Sequence, residues 1–188
     1  MPTISSKRWP RKAKLLLPTL ALCTAGLIVP SGALAGGGGI SSDGSTTPTT
    51  PGSKARIVSG GQAVAPADAP KRVQQVIAAA NKIEDKPYKY GGGHGSWNDS
   101  GYDCSGSVSY ALHGAKLLKT PLDSTGLGHY GERKKGKWIT IYGSPSHAYM
   151  VVAGLRFDTS MTPGDGPGWS KSMRSTPETY KVRHPKGL

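Results

Sequence analysis

The order of the hydrophobic patterns along the chain limits its fold more than any other feature. Apolar residues recur every three or four positions over 70–83, which predicts an amphipathic helix. A second helical pattern follows Cys104. After residue 136 the apolar residues form short runs that are typical of strands instead. These runs cover 137–142, 147–153, 155–159 and 179–183. Helices first and hairpin-linked strands later predict an α+β fold, with the N-terminal helices packed on a small antiparallel sheet.

The first 35 residues have the composition of an export signal. Five cations and no acid lie within 7–14, an apolar run follows over 15–29, and 33–35 is Ala-Leu-Ala. This order predicts a secretory signal peptide over 1–35. The alternative is a membrane anchor, which needs about 20 uninterrupted apolar residues. The run is shorter than that and contains Pro18, so we expect no stable membrane anchor after cleavage.

Residues 36–66 are rich in Gly, Ser, Thr and Pro and include four consecutive glycines. Such a segment buries too little apolar surface to offset its ordering entropy, so we predict a linker over 36–66 and a folded domain over 67–188. Cleavage after Ala35 would lower the net charge from +13 to +8 and leave 153 residues. A basic exported chain suits an anionic partner such as a wall polymer, a membrane surface or nucleic acid, and charge alone does not choose among them.

Cleavage would also leave Cys104 as the single cysteine of the exported chain. Exported proteins usually pair their cysteines, so a single thiol indicates an intermolecular disulfide, a buried inert residue or a nucleophile. Asp103 is a good N-cap residue and would place Cys104 in the first turn of the second helix. The positive end of the helix dipole would favour the thiolate there.

A thiol nucleophile needs a base, for which histidine is the usual residue. The candidates are His94, His113, His129, His147 and His184. His113 would lie about 13 Å along the same helix from Cys104, whereas His94 and His129 fall in Gly-rich loops and His184 in the tail. His147 stands at the start of a predicted strand and is the best-placed base. Asp158, one predicted turn later, would orient the imidazole across a hairpin or serve only as a turn residue.

Two short motifs resemble the NlpC/P60 family of cell-wall peptidases. They are Pro-Tyr-Lys-Tyr-Gly-Gly at 87–92 and Tyr-Asp-Cys-Ser-Gly at 102–106, the latter followed by an apolar helix. The resemblance implies a reduced papain-like fold. It also implies that Cys104 is the catalytic nucleophile, His147 the base and Asp158 the third catalytic residue.

The same resemblance implies that Tyr88, Asp103 and Ser105 shape the substrate-binding site. Two positions depart from the family pattern: Ser146 replaces the usual Gly before the histidine, and Asp158 replaces the usual His, Asn or Gln. An aspartate can also orient an imidazole, and it favours the imidazolium more strongly than a neutral side chain does.

These observations predict a secreted, monomeric cysteine peptidase of the cell wall or periplasm. It would hydrolyse amide bonds in peptidoglycan stem peptides, and the resemblance implies the bond between D-γ-glutamate and a diamino acid. Anionic wall polymers would be further partners. We expect no metal or cofactor, because there is no H-E-x-x-H motif or cysteine cluster, and no nucleic-acid partner, because no basic–aromatic motif is present. Two alternatives stay open: an amidase or acyltransferase on the same scaffold, and a non-catalytic wall-binding relative.

Overall fold

A computed structural model describes residues 48–159, 165–175 and 179–188. The predicted signal peptide at 1–35 and the predicted linker up to residue 47 lie outside these residues. Within the described ranges, no helix has both the length and the apolar character needed to cross a bilayer.

The helices of the described region position the core and one end of the candidate site. They are α1 (Lys71–Asn81), α2 (Cys104–Gly114) and the short α3 (Ser124–Leu127). The prediction of an amphipathic helix over 70–83 is confirmed by α1, which buries Val73, Val76 and Ile77. The predicted cap of α2 is also confirmed, because the Asp103 carboxylate accepts a 2.7 Å hydrogen bond from the Gly106 N–H.

The strands of the described region form two sheets. The first three are β1 (Thr49–Thr50), β2 (Arg56–Ile57) and β3 (Ala63–Pro66), ordered β1-β3-β2. The remaining six are β4 (Glu132–Arg133), β5 (Ile139–Gly143), β6 (Ala148–Val152), β7 (Leu155–Asp158), β8 (Gly168–Ser170) and β9 (Lys181–His184). They form an antiparallel sheet of order β4-β9-β5-β6-β7-β8. The predicted α+β class is therefore confirmed.

The hairpin between β6 and β7 fixes the part of the sheet that matters for the site. Ala153 and Gly154 form its turn, both with positive φ, which Gly154 tolerates without a steric cost. Val152 pairs with Leu155 and Met150 with Phe157. Continued by one step, this register places Asp158 opposite Tyr149, which is two residues after His147 and therefore on the same face of the sheet as His147.

The linker prediction over 36–66 is wrong for its described part, and folded structure begins before residue 67. β3 pairs with both neighbouring strands, and Ala55, Ala63 and Ala65 are buried in the core. The Asn81 side chain bonds both the N–H and the C=O of Ala63. Small apolar side chains and one distant amide thus anchor a segment whose Gly- and Ser-rich composition predicts no order.

Candidate functional site

A cavity of about 520 Å³ lies at the N-terminus of α2. Its lining comprises Tyr88, Tyr90, Gly91, His94, Asp103, Cys104, Ser105, Asp123, Ser124, Thr125, Pro145 and Ser146. Four of the six residues predicted to form the site are therefore on its wall. The remaining two, His147 and Asp158, lie behind Cys104 in a hydrogen-bonded chain.

Cys104 is half-buried in the first turn of α2, and its sulfur has two partners. The side chain of His147 and the backbone N–H of Ala148 both form hydrogen bonds with it. Burial raises the pKa of the Cys104 thiol, but these two hydrogen bonds and the charge of His147 together outweigh burial and lower the pKa below its ordinary value. The thiolate of Cys104 therefore forms more readily than that of an ordinary cysteine.

His147 is held between the thiol and a carboxylate. Its Nε2 lies 2.8 Å from Asp158 Oδ1, which leaves Nδ1 to face Cys104. Burial lowers the pKa of His147, but the hydrogen bonds with Asp158 and Cys104, together with the negative charges of both groups, outweigh burial and raise the pKa to about 9. The backbone of His147 is fixed as well, because its carbonyl accepts the Ser144 N–H at 2.9 Å and its N–H bonds Ser144 Oγ at 3.2 Å.

Asp158 is a fully buried carboxylate surrounded by donors. Besides His147, Oδ1 accepts the Thr159 N–H at 2.8 Å, and Oδ2 accepts Arg174 Nε at 2.9 Å. Arg156 Nε lies 3.4 Å from Oδ2. Burial raises the pKa of Asp158, but the hydrogen bonds from His147 and Arg174, together with the positive charges of both groups, outweigh burial and hold the pKa well below its usual range. Asp158 is therefore ionised while it orients the imidazole.

Asp103 has a different set of partners on the cavity wall. In addition to the Gly106 N–H, its carboxylate accepts the Gly91 N–H at 3.1 Å and the Ser105 hydroxyl at 3.1 Å. His94 Nε2 lies 3.1 Å from Asp103 Oδ1 and 3.2 Å from Ser105 Oγ. The two predicted substrate-binding residues thus form one polar cluster with His94.

Tyr88 lies at the rim of the cavity and is 43% exposed. Its backbone pairs with that of Tyr102 in an isolated parallel β-bridge. Burial and then the charge of the Cys104 thiolate raise the pKa of its phenol. A phenol that stays protonated beside Cys104 can donate a hydrogen bond to a bound carbonyl.

Three of the candidate bases, His113, His129 and His184, do not line this cavity. His113 stacks on Trp97 with ring centroids 3.9 Å apart, beside a separate cavity of about 790 Å³ next to α1. His129 contacts Lys181, and His184 lies near Glu132. Among the described residues, no group of three or more His, Cys, Asp and Glu side chains is placed to hold a metal ion.

For two residues of this site, the sequence predicts no role that matches their place in the structure. The sequence analysis treats His94 only as a candidate base in a Gly-rich loop, whereas it lies on the cavity wall against Asp103. Arg174 was not singled out, because its partner Asp158 is 16 positions away and neither residue belongs to a recognisable motif. The chain has 24 lysines and arginines, and its overall positive charge gives no reason to choose one of them.

The chain matches no family model and no curated protein sequence. Solved structures to which it is similar include the peptidoglycan hydrolase RipB from Mycobacterium tuberculosis, with 23% sequence identity and a TM-score of 0.47. This match covers 62% of this chain and 68% of RipB. A second similar structure is RipD from the same organism, a non-catalytic NlpC/P60 domain protein adapted to peptidoglycan binding. It has 22% sequence identity and a TM-score of 0.48, and the match covers 62% of this chain and 98% of RipD.

An NLP/P60-family protein from Staphylococcus aureus, similar to a lipoprotein, has 19% identity and a TM-score of 0.46, over 62% of this chain. The match spans only 42% of the length of that protein. These neighbours include both a hydrolase and a non-catalytic protein, and similarity at this level assigns no activity to the chain.

Proposed function

We propose that this protein is a secreted cysteine peptidase of the NlpC/P60 type that hydrolyses amide bonds in peptidoglycan stem peptides. Under this proposal 1–35 is its signal peptide and the folded region is its catalytic domain. The bond between D-γ-glutamate and a diamino acid is the proposed target, by resemblance of the two motifs to the family.

The observation that carries the proposal is the chain of contacts from Cys104 through His147 to Asp158. A thiol at a helix N-terminus, in contact with an imidazole that a buried carboxylate orients, is the arrangement of a cysteine nucleophile and its base. The lowered pKa of Cys104 and the raised pKa of His147 favour a thiolate–imidazolium pair. A buried structural cysteine has no need of either neighbour.

In the first step the Cys104 thiolate attacks the carbonyl carbon of the scissile amide. The amide C–N bond then breaks as His147 Nδ1 gives its proton to the leaving amine, which leaves an acyl-enzyme on the sulfur. In the second step His147 takes a proton from water, the resulting hydroxide attacks the thioester, and the Cys104 thiolate departs.

The start of α2 is suited to stabilise the negative oxygen of these intermediates. A helix leaves its first N–H groups without intrahelical partners. Asp103 accepts the N–H of Gly106 and the N–H of Ser107 bonds the Asp103 carbonyl. The N–H groups of Cys104 and Ser105 therefore remain for a substrate oxygen, with Tyr88 as a further donor at the rim.

The test is digestion of purified peptidoglycan by the full chain, with the released fragments identified by mass spectrometry. The matched variants are Cys104→Ala, which removes the nucleophile, and Cys23→Ser, which removes a thiol in the predicted signal peptide. We expect fragments from the wild type and from Cys23→Ser, and none from Cys104→Ala. The fragment masses would name the bond that is cut.

Fragments from the Cys104→Ala variant would contradict the proposal, because hydrolysis would then not pass through this thiol. No fragments from any variant, over several wall types and pH values, would contradict it as well. Retention of the protein on the wall in that case would favour the non-catalytic binding alternative. A new amide or ester product in the presence of an amine or alcohol acceptor would indicate an acyltransferase.

A further inference from the structure

Arg174 makes the closest set of cationic contacts to the candidate catalytic residues. Its Nε donates a 2.9 Å hydrogen bond to Asp158 Oδ2, and its Nη2 donates a 3.3 Å hydrogen bond to Asp158 Oδ1, so the contact with the carboxylate is bidentate. The same Nη2 lies 2.8 Å from His147 Nε2. The guanidinium also lies over the Tyr149 ring, 5.4 Å from its centroid. Arg174 therefore contacts both members of the His147–Asp158 pair.

An aspartate in this place creates a chemical difficulty. A buried carboxylate without a counter-ion attracts the imidazolium proton strongly. His147 must nevertheless give a proton to the leaving amine in the first step and take one from water in the second. A neutral hydrogen-bond acceptor orients the ring without this attraction. Asp158, whose side chain is fully buried, needs a compensating charge to behave in the same way.

We infer that Arg174 is a positioning residue whose guanidinium offsets part of the charge of Asp158, so that the buried carboxylate orients His147 at Nε2 and the imidazolium can still release its Nδ1 proton. This inference rests on the proposed function, because it assigns Arg174 a part in the same site. When Nε2 is protonated, both Nε2 and the facing Nη2 are donors, so their 2.8 Å contact is repulsive. Arg174 thus opposes the excess attraction of Asp158 at the nitrogen that Asp158 holds.

Several other groups face this pair and belong to the charge balance. Arg156 on β7 lies 3.4 Å from Asp158, and the Cys104 thiol on α2 contacts His147. The phenols of Tyr149 on β6 and Tyr180 before β9 pack against the His147 ring. Arg156 Nε lies near Asp158 Oδ2 but does not form a hydrogen bond with it. Arg174 is the cation that meets both carboxylate oxygens and the imidazole.

The experiment measures how fast iodoacetamide alkylates Cys104 as a function of pH. It uses the full chain in a Cys23→Ser background, so that Cys104 is its one thiol. The variants are Arg174→Gln, Asp158→Asn, the double variant with both changes, and Arg174→Lys, which keeps the charge. Thermal melting of each variant checks that it is folded.

The charge argument predicts opposite shifts for the two single variants. Loss of the cation in Arg174→Gln should move the alkylation midpoint up by about one pH unit, and loss of the anion in Asp158→Asn should move it down by a similar amount. The double variant, which is neutral at both positions, should return close to the wild-type midpoint. Arg174→Lys should stay near the wild type too.

An unmoved midpoint in folded Arg174→Gln would overturn the inference, as would a double variant displaced as far as either single one. Should Arg174→Gln not fold, the double variant and Arg174→Lys decide the question by the same criteria. A wild type that alkylates like an ordinary thiol, with a midpoint near about 8.5, and releases no wall fragments contradicts the proposed function itself. A low wild-type midpoint with no response to Arg174→Gln contradicts this inference alone.

Discussion

Two histidine–aspartate pairs lie beside Cys104, and they have different surroundings. His147 Nε2 and Asp158 Oδ1 are 2.8 Å apart, and His94 Nε2 and Asp103 Oδ1 are 3.1 Å apart. The Asp158 side chain is fully buried and bonded by Arg174. The Asp103 side chain is 12% exposed and, besides His94, accepts hydrogen bonds from two backbone N–H groups and the Ser105 hydroxyl, with no arginine among these partners.

The difference shows that residue type alone does not set the role of a pair. Asp158 bonds the imidazole of His147, which in turn contacts the Cys104 thiol. Because the Asp158 side chain is buried, water does not screen the charge of its carboxylate. Asp103 caps α2 and ties down the loop that carries Gly91 and His94. Under the proposed function, His147 transfers the proton while Asp158 orients its imidazole, and Asp103 and His94 shape the binding cavity.

The largest expected effect separates the two histidines in catalysis. His147→Gln should lower the rate of peptidoglycan hydrolysis by about 10³-fold or more, because it removes the base and the imidazolium that stabilises the thiolate. His94→Gln keeps a side chain that can bond Asp103 and should lower the rate less than about 10-fold. Initial rates of fragment release measure both, and equal losses in the two variants would remove the distinction.

The second effect separates the two aspartates in stability. Asp158→Ala should lower the free energy of unfolding by about 3–5 kcal/mol, because Arg174 and Arg156 lose their buried counter-charge. Asp103→Ala should cost about 1–2 kcal/mol, the usual range for loss of an N-cap. Denaturant unfolding measures both. Asp103→Asn, which can still cap, is the control and should recover most of the loss. A larger cost for Asp103→Ala would reverse the comparison.

The third effect is the pH dependence that Asp158 confers. Its folded-state pKa is lowered, so its contribution to stability is present above the ordinary aspartate pKa of about 3.9 and is lost as pH falls toward the folded pKa. The wild type should therefore be more stable than Asp158→Asn near pH 5, and about 2 kcal/mol of that gap should disappear by about pH 2. Thermal melts of both proteins over this range give the gap, and a constant gap would count against an ionised Asp158.

The smallest effect concerns the packing that places the Asp103 cluster. A methyl group at Gly106 would collide with the carbonyl oxygen of Gly92, whereas one at Gly95 would meet no neighbour. Gly106→Ala should therefore destabilise the fold by about 1–3 kcal/mol, and Gly95→Ala should stay within about 0.5 kcal/mol of the wild type. Unfolding of the two variants at the same denaturant concentration would contradict the close contact between Gly106 of α2 and the Gly92 carbonyl oxygen.

The parts of this site that lie in short stretches of sequence were predictable. Asp103 precedes Cys104 directly, so the cap and the thiol follow from one helix start. His147 directly precedes β6 and Asp158 ends β7, and the two-residue turn between these strands sets the hairpin register that brings the two residues together.

Contacts across irregular segments were not predictable in the same way. Arg174 reaches Asp158 from the segment after β8, and Asn81 anchors β3 from the end of α1. Neither contact leaves a periodic pattern in the sequence. The loop with His94 is Gly-rich, and it is ordered by the Asp103 and Asp99 carboxylates, which bind the N–H groups of Gly91 and Gly93. Composition predicts mobility there because it takes no account of these acceptors.

The most direct test of the central claim is titration of hydrolysis against Cys104 itself. The full chain in the Cys23→Ser background would be alkylated with increasing iodoacetamide near pH 6, and each sample would be assayed for peptidoglycan hydrolysis. Peptide mass spectrometry would give the alkylated fraction of Cys104. The account predicts that activity falls in proportion to that fraction and reaches zero when Cys104 is fully modified. Hydrolysis that persists with Cys104 fully alkylated would contradict it.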